Sequence, residues 1–137
     1  MSQNEKRLAA FRGAVCVENT ADSITENVCL MCRELFKLNG IKAEDIISLQ
    51  FTITDDITVL NPATALRRGD CGLDVKEVPL FCSQEAKIDG GMKKVVRALL
   101  TAYYEERKDG KQNVYLNGAE KLRPDFRAKH DEALKNG

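Results

Sequence analysis

The chain has 137 residues, with 21 basic and 21 acidic side chains, a formal net charge of zero, and 43% apolar residues alongside 9 glycines. That length suits one packed domain and excludes two, and the composition is that of a soluble globular unit. A balanced charge leaves no positive field to gather nucleic-acid phosphates or an anionic membrane surface, so neither partner is expected.

The longest apolar runs are broken by charge, as in Val95, Val96, Arg97, Ala98, Leu99 and Leu100. None approaches the roughly 20 residues of a membrane helix. Residues 1–7 carry charge but no apolar segment follows that could serve as a secretory signal, which predicts a cytoplasmic chain. The cysteines, Cys16, Cys29, Cys32, Cys71 and Cys82, are odd in number and read as reduced thiols rather than a disulfide framework. No repeat or linker interrupts the sequence, so a single domain is expected over residues 1–137, with a polar tail over about 126–137.

In chain order, residues 8–17 are apolar and end in strand formers, predicting a first strand that contains Arg12. Ser23 with Glu26 matches a capping box, after which Ile24, Val28, Met31, Leu35 and Leu38 recur at helical spacing until Asn39 and Gly40 stop the helix. Over residues 46–54, Ile47, Leu49, Phe51 and Ile53 alternate with Ser48, Gln50, Thr52 and Thr54, the period of a half-buried strand. Asn61 before Pro62 predicts a capped short helix ending near Gly69. Residues 75–82 read as a strand in which Pro79 needs an edge position, placing Cys82 and Glu85 at its end. Residues 92–106 fit either a helix or a fully buried strand, and periodicity does not decide between them. Residues 113–117 lie between glycines and read as a last strand. Strands separated by helices predict a mixed α/β (α+β) domain with flanking helices.

The chemistry available is narrow. Cys29 and Cys32 have a redox or metal spacing but fall inside a helix, away from the N-terminus that would stabilise a thiolate, and read as core thiols. The one histidine, His130, has no ligand spacing around it, so no metal or other cofactor is expected and imidazole-based nucleophilic catalysis is excluded. Asp89, Gly90 and Gly91 before Lys93 and Lys94 lack phosphate-loop spacing and read as a solvated turn. Arginines in apolar context are more informative. Arg12, Arg97 and Arg123 each need an anionic partner if desolvated, either a carboxylate of the protein or a ligand.

An ordered set of segments resembles the AroH-type chorismate mutases: Arg12-Gly13-Ala14; Pro62-Ala63 with Arg67; Val78 through Glu85; Gly91 through Arg97; Val114-Tyr115-Leu116; and Leu122 through Asp125. The resemblance implies an α+β fold that assembles as a homotrimer around a barrel-like core, with sites between subunits. It also implies that residues 92–104 are strand. The implied reaction is the Claisen rearrangement of chorismate to prephenate, which needs neither proton transfer nor a covalent intermediate. It needs a dicarboxylate held in a compact conformer and positive charge where the breaking ether oxygen gains electron density.

On this resemblance Arg97 faces the ether oxygen, Arg12 and Tyr115 grip carboxylate, and Glu85 with Cys82 serves the ring hydroxyl side. Phe81 belongs to the binding wall, Arg67 shapes the entrance, and Leu122 with Arg123 closes it. Asn61 and Thr64 stand at the rim where the family commonly has phenylalanine and a charged residue, which weakens apolar contact there. The loop over residues 68–77 is longer than the family pattern. Each residue also has a structural reading: Cys82 as a core thiol, Tyr115 as a packed ring, Glu85 as counter-ion to Arg97. A trimeric carboxylate-binding relative without turnover, or an enamine/imine deaminase-like trimer, are the competing functions.

Overall fold

Strand formers around Arg12 build the first strand, β1 (Lys6–Cys16), in the computed structural model, which describes residues 5–125. His130 and the tail over residues 126–137 lie outside the described residues. The chain continues through the helix α1 (Ala21–Asn39), strand β2 (Ile46–Ile53), helix α2 (Pro62–Arg68), and strands β3 (Leu80–Gln84), β4 (Val95–Glu105) and β5 (Val114–Leu116). Short 3-10 turns at Ala43–Asp45 and Ala119–Leu122 complete it. The five strands form one mixed sheet in the order β3-β2-β4-β1-β5. β4 is antiparallel to β1 and β2, whereas β3 runs parallel to β2 and β5 parallel to β1.

Both helices cover one face of this sheet. Ile24, Val28, Met31 and Leu35 of α1 and Ala65 and Leu66 of α2 bury against Phe11, Val15, Leu49, Phe51, Val96 and Leu100. The approach is close at Gly13, where a Cβ would lie 3.0 Å from Leu35 Cδ1 and 3.1 Å from Met31 Sδ. Cys29 and Cys32 face this core, and burial pushes both thiols up from their ordinary range, the opposite of a reactive pair. Among the described residues no helix is long and apolar enough to cross a membrane.

The local chemistry differs from the expectation in three places. The cap of α1 is Thr20, whose hydroxyl accepts from Ser23 N at 3.1 Å, so the helix starts a turn earlier than a Ser23 cap implies; Ser23 instead accepts from Glu18 N. Ile47 leaves the alternation, because a register shift between Ile46 and Ser48 bulges it out of β2 into solvent while Leu49 and Phe51 stay buried. β3 begins after Pro79, later than residue 75, since Val78 N closes a turn onto Val75 O. Pro79 therefore stands just before the strand, where its carbonyl accepts from Leu49 N at 2.9 Å. Asn61 caps α2 as expected, accepting from Ala63 N at 2.8 Å, with Pro62 in the first turn.

At the other end of α1, Gly40 adopts φ +63 and its N–H bonds back to Lys37 O, while Ile41 N bonds to Phe36 O. A Cβ at Gly40 would meet Arg107 Nη1 at 2.6 Å. Gly40→Ala is expected to lower unfolding free energy by about 1–2 kcal/mol, the cost of a left-handed L-residue. Denaturant titration of the two proteins checks this; equal midpoints and slopes would contradict it.

Candidate active site

The face of the sheet opposite the helices carries the charged residues. Strand alternation sends Val96, Ala98, Leu100, Ala102 and Tyr104 of β4 into the core and turns Arg97, Leu99, Thr101 and Tyr103 the other way. Register then assembles two rungs across this open face. Thr52 of β2 and Ala14 of β1 flank Arg97, and Tyr115 of β5 lies beside Ala14. In the second rung Gln50 and Arg12 flank Leu99, with Phe81 of β3 beside Gln50. Glu85, just past β3, is fixed by its N–H to Ile53 O at 2.8 Å and reaches back over the first rung.

The result is a cleft of about 350 Å³ lined by Arg12, Gly13, Gln50, Thr52, Glu85, Arg97, Ala98, Leu99 and Tyr115. Its size falls in the range that holds a small molecule. A second hollow of about 440 Å³ shares the Glu85 and Arg97 wall and extends under the 85–93 loop to Leu122. Within the cleft, Arg97 Nε lies 2.8 Å from Glu85 Oε1, and Thr52 Oγ1 donates to that same oxygen at 2.9 Å. The Arg97 approach is off the N–H axis, so this buried nitrogen makes a charge contact with Glu85 rather than an aligned hydrogen bond. A half-exposed pair of this kind contributes about 0–1 kcal/mol to stability, too little to account for two arginines on one open face.

Four expected residues therefore converge: Arg12, Glu85, Arg97 and Tyr115. Tyr115 is buried in a small cluster with Ala14, Val95 and Ala119, against which Leu122 packs. Leu122 lines the adjoining hollow. Arg123 pairs with Asp125 at 2.9 Å, and its pKa is raised chiefly by that hydrogen bond. The others do not line the cleft of one chain. Phe81 is 74% exposed, and the Cys82 side chain packs toward the core on the far face, where burial pushes its thiol up. Asn61 spends its side-chain oxygen on the α2 cap, and Thr64 and Arg67 sit on α2 outside both hollows. The structural reading of Glu85 as counter-ion to Arg97 and that of Cys82 as a core-packing thiol both hold within a single chain.

Sequence reasoning missed Thr52 and Gln50 as cleft residues. The alternation in β2 already placed both on the polar face; what it lacked was the partner strand. The Asp89-Gly90-Gly91 segment is a turn, with Gly91 N on Ile88 O, but it also walls the second hollow. Neither the cleft nor the second hollow is lined by a cysteine or a histidine, and no cluster of three or more His, Cys, Asp or Glu suited to a metal occurs among the described residues.

With this geometry in view, comparison with known proteins is decisive. A family model described as chorismate mutase type I matches residues 8–126. The chain belongs to the type I chorismate mutases. It is 30% identical over 120 residues to chorismate mutase AroH of Bacillus subtilis, covering 87% of this chain and 92% of that protein. Against chorismate mutase AroH of Thermus thermophilus it is 31% identical over 118 residues, covering 85% and 93%. A chorismate mutase structure from Clostridium thermocellum superposes with a TM-score of 0.75 at 35% identity, covering 83% of this chain and 99% of that one. The strand over Val95–Glu105, which periodicity left open, agrees with the family resemblance.

Next to Thr54 and Asp55 of the second hollow, Asp56 accepts from Thr54 Oγ1 at 2.5 Å and from Lys94 N at 3.1 and 3.0 Å. Burial pushes this carboxyl up, but the hydrogen bonds from Thr54 and the Lys94 backbone outweigh it and hold it below its ordinary value. Its stabilisation is therefore full above the ordinary carboxylate range and lost as pH falls through the folded value. Asp56→Ala is expected to be less stable than the parent at neutral pH, with the gap closing as pH falls below the ordinary carboxylate range. A gap that stays constant in parallel unfolding titrations would contradict this.

Proposed function

We propose that this chain catalyses the rearrangement of chorismate to prephenate, and that Arg97 is the residue on which the rate depends. The observation that supports this most strongly is the meeting of Arg12, Arg97, Glu85 and Tyr115 in one cleft, from four different segments. The rearrangement moves electrons within one molecule, so it asks of the protein only conformational restriction and fixed charge. Arg97 projects beside Leu99 and Ala98 and lies 2.8 Å from Glu85, so its charge is already in the cleft before substrate arrives. In our reading it donates to the ether oxygen as that atom gains electron density, while Arg12 and Tyr115 hold carboxylate. Glu85, with Oε1 engaged by Thr52 and Arg97, presents its remaining oxygen to the ring hydroxyl.

The second part of the proposal is a homotrimer in which a neighbouring copy completes each cleft. Supporting it, the open sheet face leaves Leu8, Leu99 and Tyr103 exposed on the side away from the helices, with Phe81 at its edge. Large apolar side chains gathered on one exposed face fit a contact surface. β3 is an edge strand, so Phe81 and Cys82 lie where another copy can reach, as do Thr64 and Arg67 on α2. Asn61 and Leu122 with Arg123 would then stand at the rim. Five free thiols fit a reducing, cytoplasmic setting.

The test is the loss of chorismate absorbance with purified protein beside an Arg97→Ala variant and the uncatalysed reaction. Saturable turnover is expected, falling about 10²–10³-fold in the variant, on the order of 3 to 4 kcal/mol in the barrier. Binding without turnover by folded protein would overturn the catalytic reading in favour of a binding-only relative.

A further inference from the structure

Resting on that reading, we propose that Thr52 is a positioning residue, which orients the Glu85 carboxylate and so decides which of its oxygens meets the substrate. Glu85 lies beyond the end of β3, where only its backbone N–H to Ile53 O holds it to the sheet. A carboxylate at the end of such a side chain turns about its last bond unless both its environment and its partners are fixed. The contact with Arg97 does not fix it alone, because Nε approaches Oε1 at 2.8 Å off the hydrogen-bond axis and attracts charge without selecting an orientation.

Thr52 supplies the missing direction. It sits one residue from the C-terminal end of β2 but is held between two strands, paired with Ser83 on one side and Arg97 on the other, and its β-branched side chain has restricted χ1 freedom. Its hydroxyl donates to Glu85 Oε1 at 2.9 Å, a charge-assisted bond across 33 positions of sequence. Among the described residues it is the one aligned hydrogen-bond donor to that carboxylate. With Oε1 held by Thr52 and Arg97 together, Oε2 is left with its acceptor capacity uncommitted inside the cleft. The hydroxyl also divides labour on the open face. Because Thr52 neutralises nothing, it orients Glu85 while leaving the Arg97 charge available to substrate.

Thr52→Val removes the donor and keeps the shape; Thr52→Ser keeps the donor. With circular dichroism verifying the fold, and Thr52→Ala taking the place of the valine variant if that one does not fold, kcat/KM on chorismate is expected to fall about tenfold in Thr52→Val, the worth of one charge-assisted hydrogen bond, and to stay within about twofold in Thr52→Ser. In a Glu85→Ala background, which leaves Thr52 nothing to orient, the same Thr52→Val change is expected to cost less than about twofold, since a positioning residue acts only through its partner. An undiminished loss in that background, a serine variant as poor as valine, or a valine variant equal to the parent would each overturn the proposal. If the parent turns over no chorismate, the functional reading fails separately, and calorimetric binding of prephenate to the same variants reads the inference. There, weakening in Thr52→Val that serine rescues supports it, and uniform or absent binding overturns it.

Discussion

A slip of one residue in the pairing of β4 would carry Arg97 from the open face into the core, where an unpaired guanidinium costs several kcal/mol, and would turn Val96 and Leu100 out into water. The register is held on both sides: by Val15 and Phe11 of β1 against Val96 and Leu100, and by Leu49 and Phe51 of β2 against Leu100 and Ala98. Apolar burial on the helix face thus dictates what stands on the other face. Arg12, Arg97, Thr52 and Tyr115 share a surface because Phe11, Val96, Phe51 and Val114 share a core.

This one-sidedness also organises the rest of the chain. α1 lies close enough to β1 that a side chain at Gly13 would press on Leu35 and Met31, and the helix layer packs on that face. On the opposite face the Ala119–Leu122 turn, with Met92, covers Ala14, Val95 and Tyr115 at one corner, and the loop after β3 walls one side. What remains open is a charged cleft bordered by apolar side chains, Leu99 and Phe81 among them. Such a surface fits both halves of the proposed function, since an arginine acts more strongly on a substrate once water is excluded, which is what the proposed neighbouring copy would do.

Much of this was legible in the residues, for identifiable reasons. Asn61-Pro62 and Gly40 are local signals, read correctly because caps depend on a few adjacent groups. Thr20 and Ser23 are both hydroxyls near a helix start; Thr20 takes the cap while Ser23, already inside the first turn, accepts from Glu18 N instead, and either hydroxyl fits the sequence pattern. The Ile47 bulge exists only in relation to β4, so alternation along β2 alone could not show it. β4 itself hides its period, because Val95 is buried by a corner cluster on the face that is otherwise open, leaving a nearly continuous apolar start to the strand. Arg12, Glu85, Arg97 and Tyr115 are far apart in sequence, and only the family resemblance gathered them beforehand. Cys82, Phe81, Asn61, Thr64 and Arg67 were grouped with them on the same resemblance, yet a single chain sets them elsewhere, which is the strongest reason to look to a second copy.

The most direct measurement mixes two defective proteins. Arg97→Ala removes a residue of the cleft itself, and Arg67→Ala removes one that a neighbouring copy is proposed to bring. Each homogeneous protein, shown by light scattering to be trimeric, is expected to be strongly impaired. After subunit exchange, hybrid trimers contain clefts with both arginines intact, and chorismate turnover should rise well above that of either parent. Exchange demonstrated by mass with no rise in turnover, or active protein that remains monomeric, would contradict a cleft completed between copies.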